Sequence, residues 1–144
     1  MMLNIFMYKI PKKLPLGMQR VVEQLKKTKS KMECLRMAYD VLGKRFHGEK
    51  LYFLRKPSEL FVTNLEKIWN TRKVLNCTTV NYLLRALLIR SGKFTDKDLK
   101  NQWTLISGFS IHQYVRANVD GKIINVDLWG HSNKVPFGEY AHGF

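Results

Sequence analysis

Cysteine is scarce in this chain. Its 144 residues contain only Cys34 and Cys77, which excludes a disulfide framework, and neither stands in a Cys/His cluster with zinc spacing, so no metal site is expected. Long apolar runs are missing too, so no membrane span is expected. The residues Met1 to Met18 carry Lys9, Lys12 and Lys13 after their apolar part. A secretory signal has the opposite order, and the expected setting is reducing and cytoplasmic. No Gly/Ser-rich linker and no internal repeat divides the chain, and one domain over residues 1–144 is expected. Acidic residues are few, with 11 Asp+Glu against 25 Lys+Arg and a net charge of +14. Residues 1–76 hold +11 of it and residues 77–144 only +3. Such a surplus is compatible with nucleic acid, an anionic membrane surface or an acidic protein. No nucleic-acid motif or basic-aromatic repeat accompanies the lysines, so a dispersed, solvated basic surface is the favoured reading over nucleic-acid binding.

What is present is globular. The chain is 45% hydrophobic, with 8 Phe, 6 Tyr and 3 Trp. Residues 1–17 read as irregular, punctuated by Pro11, Pro15 and Gly17. A helix is expected from about Met18 to Lys27. A second should be capped by Ser30 with Glu33 closing a capping box; its Cys34 reads as packing. His47 falls at the end of this helix and reads as a capping or surface residue. Leu51 to Leu54 is a short strand or extended link. Pro57-Ser58-Glu59 should open a third helix carrying Leu60, Phe61, Leu65, Ile68 and Trp69.

The stretch from Asn76 to Gly92 is the most informative. Val80, Leu83, Leu84, Leu87 and Leu88 recur at helical spacing and predict one apolar face. Asn76 is a good N-cap and Ser91-Gly92 a good stop. Cys77 then sits in the first turn, where unpaired backbone N–H groups and the helix dipole favour a thiolate. The plainer role for such a residue is a small buried apolar side chain. A polar stretch from Lys93 to Lys100 reads as a surface excursion.

Periodicity changes in the last third. Strands are expected over Trp103 to Phe109, Ile111 to Val119 and Lys122 to Trp129. Asp120-Gly121 signals a two-residue hairpin between the last two. That turn sets Val119 opposite Lys122, Val115 opposite Val126 and Tyr114 opposite Asp127. One face then carries Val115, Ala117, Val119, Ile124, Val126 and Leu128. The other carries His112, Tyr114, Arg116, Asn125, Asp127 and Trp129, which makes His112 and Asp127 diagonal neighbours. A thiol nucleophile needs a base, and the base needs a group to fix its tautomer. Cys77, His112 and Asp127 supply those types in that chain order. Singly, His112 reads equally as a satisfied sheet histidine and Asp127 as an end-of-strand cap; together they read as a catalytic triad. His131 and His142 in the tail read as surface residues.

The segments Asn76-Cys77-Thr78-Thr79, His112-Gln113-Tyr114-Val115 and Gly121 to Asp127 resemble the core of the transglutaminase-like, papain-related cysteine enzyme superfamily, over roughly residues 30 to 130. The resemblance implies an α+β fold, with N-terminal helices and a cysteine-bearing helix packed on an antiparallel β-sheet. It implies Cys77 as nucleophile, His112 as general base and then acid, Asp127 as orienting residue, and no cofactor. The expected function is a cysteine protease-like hydrolase, or a transglutaminase, acting on peptide or protein amides. The alternative is a non-catalytic basic module of the same fold that holds nucleic acid or an acidic protein. The sequence departs from the family with Thr78 after the cysteine and Leu128-Trp129-Gly130 after the aspartate, which leaves the oxyanion donor unassigned beyond the Cys77 N–H. Gln102, Trp103 and Trp69 are candidates by type alone.

Overall fold

The computed structural model describes residues 9–49, 64–106, 108 and 110–142. These form an α+β structure of five α-helices and a three-stranded antiparallel sheet: α1 (Leu16–Lys26), α2 (Lys31–Arg45), α3 (Leu65–Thr71), α4 (Cys77–Arg90), a 3₁₀ turn (Asp96–Asp98), β1 (Leu99–Ile106), β2 (Ser110–Val119), β3 (Lys122–Val126) and α5 (Leu128–His131). The expected run at Leu51 to Leu54, the turn at Pro57-Ser58-Glu59 and the residues Leu60 and Phe61 lie outside the described residues.

Local chemistry starts these helices. Ser30 Oγ accepts from the Glu33 N–H at 3.1 Å, as a capping residue should. The return arm of the expected box lands one residue early: Glu33 Oε2 accepts from the Lys29 N–H at 2.9 Å. Asn64 caps α3 through the Lys67 N–H, and Asn76 caps α4 through the Thr79 N–H at 3.0 Å. Asn76 Oδ1 also accepts from the hydroxyls of Thr78 and Thr79. The first turn of α4, which carries Cys77, is therefore held by three donors on one oxygen.

Helix α4 is more enclosed than its periodicity suggested. Every residue from Thr79 to Leu88 is buried, Asn81 and Arg85 included. The reason is two-sided cover: α1 and α2 pack on α4 from one side and β2 from another. A helix surrounded in this way has no solvent face over its middle. The irregular segment before α1 is tied down as well. Arg90 donates to the main-chain oxygens of Pro11 and Ile10 at 2.8 Å each, and Ile10 and Leu14 enter the core.

In the sheet, the register of β2 and β3 is the one the hairpin turn dictates, with Val115 opposite Val126 and Val119 opposite Lys122. Asp120 and Gly121 take positive φ values of 53° and 89°, the left-handed pair that a type I′ turn needs. Of the strand boundaries that differ from expectation, two have a clear cause. Strand β1 starts at Leu99, four residues before the expected Trp103, because Leu99 is buried beneath an otherwise polar stretch and pairs with Ala117. Strand β3 stops at Val126 rather than Trp129: Asp127 caps a helical turn that takes Leu128 and Trp129 out of the sheet. The observed cap at Asn76 generates a test. Asn76→Ala should lower the free energy of unfolding by about 1–2 kcal/mol in a urea titration, with the largest loss of amide protection in the first turn of α4.

Candidate active site

Asp127 is the point from which this site is built. Its carboxylate is only 2% exposed and accepts three hydrogen bonds. Oδ1 takes the Gly130 N–H at 2.8 Å. Oδ2 takes the Ala141 N–H at 2.7 Å and stands 2.7 Å from His112 Nε2. A Cβ at position 130 would lie 2.7 Å from Asp127 Oδ2, so only glycine lets the chain fold back this tightly after the aspartate. Asp127 is thus both the cap of α5 and the partner of His112. The ladder position opposite Tyr114 stays unused, because β3 has already ended.

His112 lies in β2 opposite Thr104 of β1 and is itself 2% exposed. Burial works against its charge. Hydrogen bonds to Asp127 and to Cys77, with the negative charge of both partners, outweigh burial and push it up to about 9. The site therefore favours the protonated imidazole, held between the Asp127 carboxylate and the Cys77 sulfur. The structure so brings Cys77, His112 and Asp127 together. Cys77 is partly exposed and packs against a small apolar group of Ile106, Trp129, Val135 and Ala141. The Trp129 ring lies 4.8 Å from the His112 ring at 49°.

The tail after α5 was not anticipated as part of this region. It returns along β3, where Gly138 bridges Asn125. Tyr140 stacks on Tyr114 with centroids 4.2 Å apart and planes 6° from parallel, and Ala141 then reaches Asp127. A main-chain N–H donor leaves no trace in a sequence, which explains the omission. Trp129 was readable only as an aromatic on the histidine's face. Tyr39 adds to the electrostatics: burial first, then the charges of Asp127 and Asp40, push its hydroxyl up to about 12. It remains a neutral phenol.

The other candidates separate. Cys34 is buried in the core and its thiol points to Ser91 Oγ at 3.5 Å, a packing role. Trp69 belongs to the helical layer, stacked edge-on against Phe46 with Arg45 over its ring. By register, Gln102 shares the face of Tyr114 and His112, whereas Trp103 shares that of Gln113. His47, His131 and His142 are exposed; the cap of α2 is Phe46, not His47. A shallow surface crevice bounded by Leu42, Phe46, Leu75, Val80, Leu128 and Trp129 among others has none of Cys77, His112 and Asp127 in its wall. Among the described residues no group of His, Cys, Asp or Glu is arranged to hold a metal, and no helix is long and apolar enough to cross a membrane.

The raised histidine generates a pH prediction. Its value in the folded chain exceeds the ordinary 6.5, so the pair stabilises the fold fully below about 6.5 and loses that contribution as pH rises towards about 9. Thermal stability should fall across that window. Asp127→Ala should flatten the dependence and bring the imidazole titration, followed by NMR, down towards 6.5. An unchanged His112 midpoint in Asp127→Ala would contradict the assigned ion pair.

No protein-family model matches the chain, and no curated protein does. Among solved structures, the chain resembles a crystal structure from Parabacteroides distasonis that bears the description "putative protease". The TM-score is 0.58 at 12% identity, over 87% of this chain. The match spans 25% of that larger chain, and what the two share at this identity is the fold.

Proposed function

We propose that this protein is a thiol-dependent enzyme of the transglutaminase-like kind, acting on amide bonds through Cys77, His112 and Asp127. The observation that carries the reading is the buried His112 imidazole, hydrogen-bonded to Asp127 through Nε2 and to Cys77 as well. A histidine held as a cation beside a partly exposed thiol at a helix start is the arrangement that nucleophilic thiol chemistry requires. The fold shared with a protein described as a "putative protease" is consistent with the same reaction class.

In this mechanism the Cys77 thiolate attacks the substrate carbonyl carbon. The imidazolium of His112 gives its proton to the departing amine as the C–N bond breaks, leaving an acyl thioester on Cys77. Now neutral, His112 takes a proton from water, which adds to the thioester carbonyl; the acid leaves and the thiolate–imidazolium pair is restored. An amine in place of water gives transamidation; hydrolysis is the default because water is always present. Asp127 holds the ring orientation and stabilises the imidazolium. The N–H of Cys77 lies in the first turn of α4, where no intrahelical acceptor exists, and serves as an oxyanion donor. The reading calls for no metal or organic cofactor and suits a reducing, cytoplasmic setting.

The competing reading is a non-catalytic module that uses its basic half to hold a polyanion. Several basic side chains are already engaged within the fold: Arg45 over Trp69, Arg36 over Phe137, Arg90 on the segment before α1 and Arg85 with Asp96. An inert Cys77 together with salt-sensitive retention on a polyanion would favour the module.

Two experiments test the enzyme. Near pH 6, iodoacetamide should label Cys77 much faster than the buried Cys34 in the folded protein, with the site read by mass. His112→Ala should slow Cys77 labelling, Asp127→Ala should slow it less, and unfolding should abolish the difference between the thiols. Equal labelling of both cysteines in the folded state sinks the assignment. On an amide substrate found with an activity-probe screen, kcat/KM should fall as pH rises through about 9, where His112 loses its proton. Asp127→Ala should move that limb to lower pH.

A further inference from the structure

We propose that Asn81 is a positioning residue that fixes where His112 stands relative to Cys77. The inference rests on the thiol-enzyme reading and adds a residue to it. Asn81 lies one helical turn beyond Cys77, on the same side of α4, and Gln113 follows His112 in β2. Asn81 Nδ2 donates to the main-chain oxygen of Gln113 at 3.0 Å and to its side-chain Oε1 at 3.1 Å. Both residues are 1% exposed. The pairing of β2 with β3 ends at Val115 and Val126. Two residues further along β2, a side chain from the helix bonds the strand backbone instead.

The placement matters because the rest of this contact is slippery. Leu84, Leu87 and Leu88 of the helix and Val115 and Ala117 of the strand belong to one buried apolar core, and the helix packs on β2. Apolar contact is non-directional and tolerates small displacements. Proton transfer between a thiol and an imidazole does not, since displacements of about 1 Å cost heavily in rate. Hydrogen bonds have direction and length. The pair from Asn81 joins the helix, one turn beyond the thiol, to the peptide next to the histidine.

Stability alone does not account for these two side chains. Among the described residues, Asn81 Oδ1 and Gln113 Nε2 are buried and meet no hydrogen-bond partner, and leaving polar atoms so costs free energy. An apolar pair of similar volume would fill the space without that cost. What the amides add over an apolar pair is the direction of their hydrogen bonds.

The test compares wild type, Asn81→Ala, and the double variant Asn81→Leu with Gln113→Leu, which refills the space with apolar volume. Three quantities are read: melting temperature, the iodoacetamide rate at Cys77 near pH 6, and the His112 midpoint by NMR. In both variants labelling should slow by roughly tenfold and the midpoint should fall from about 9 towards 6.5. The double variant should melt within a few degrees of wild type. Leu88→Ala, on the same helix, serves as the control: it should lower the melting temperature without moving rate or midpoint. A folded variant with wild-type rate and midpoint overturns the proposal, and so does failure of both variants to fold, which makes the pair a stability element. A wild-type Cys77 no more reactive than Cys34 fails differently: it removes the enzyme reading itself.

Discussion

A carboxylate taken out of water has to be surrounded by donors, and in this protein that requirement shapes everything near the site. Burying an unpaired charge is among the most expensive acts in folding. Asp127 meets the demand with one donor from β2, one from α5 and one from the returning tail. Three separate segments, β2, α5 and the tail, are thereby brought to a single group. The imidazole is the only one of the three donors that can carry a positive charge, so the ion pair and the local fold are one construction. Removing the aspartate would leave His112 buried without its counter-charge and Gly130 and Ala141 without their acceptor.

The parts of the fold that were legible in the sequence are those governed by short-range chemistry. The cap at Asn76, the register beyond Asp120-Gly121 and the cap at Ser30 each follow from one or two residues acting on their immediate neighbours. What was not legible depended on competition or on the backbone. The alternation through Leu128 and Trp129 continued the strand pattern, but the Asp127 side chain captured the Gly130 N–H and turned the chain into α5. An aspartate three residues before a glycine was the available signal, since Asp side chains compete for nearby backbone donors. At the other end, charged neighbours masked the buried Leu99, so β1 was read short. The partners of Asp127 in the tail and of Gln113 in α4 are long-range contacts with no local pattern behind them. Asn81 and Arg85 within an otherwise apolar helix were the hints that α4 holds polar contacts in its interior.

The helix that carries Cys77 joins two kinds of order. Its outer attachments are hydrophobic and shared with α1, α2 and the sheet. Its polar attachments are specific and include Asn76 at the start, Asn81 on Gln113, Arg85 on Asp96, and Tyr82 and Arg90 on the segment before α1. Burial makes the fold stable, and the polar contacts select one register of the helix against its surroundings. The two nearest the thiol are also those closest in sequence to the proposed chemistry.

The hydrogen-bonding polarity around Asp127 has one more consequence. Asparagine has the same shape as aspartate, yet its amide presents a donor where the carboxylate presents an acceptor. With the asparagine oxygen placed for Ala141 and His112, its nitrogen meets the Gly130 N–H; turned over, the nitrogen meets the Ala141 N–H. Neither orientation avoids two donors facing each other. The position therefore distinguishes two isosteric residues by the sign of a hydrogen bond. Relatives of this chain that carry an amide there would need a different path for the α5 turn or for the tail.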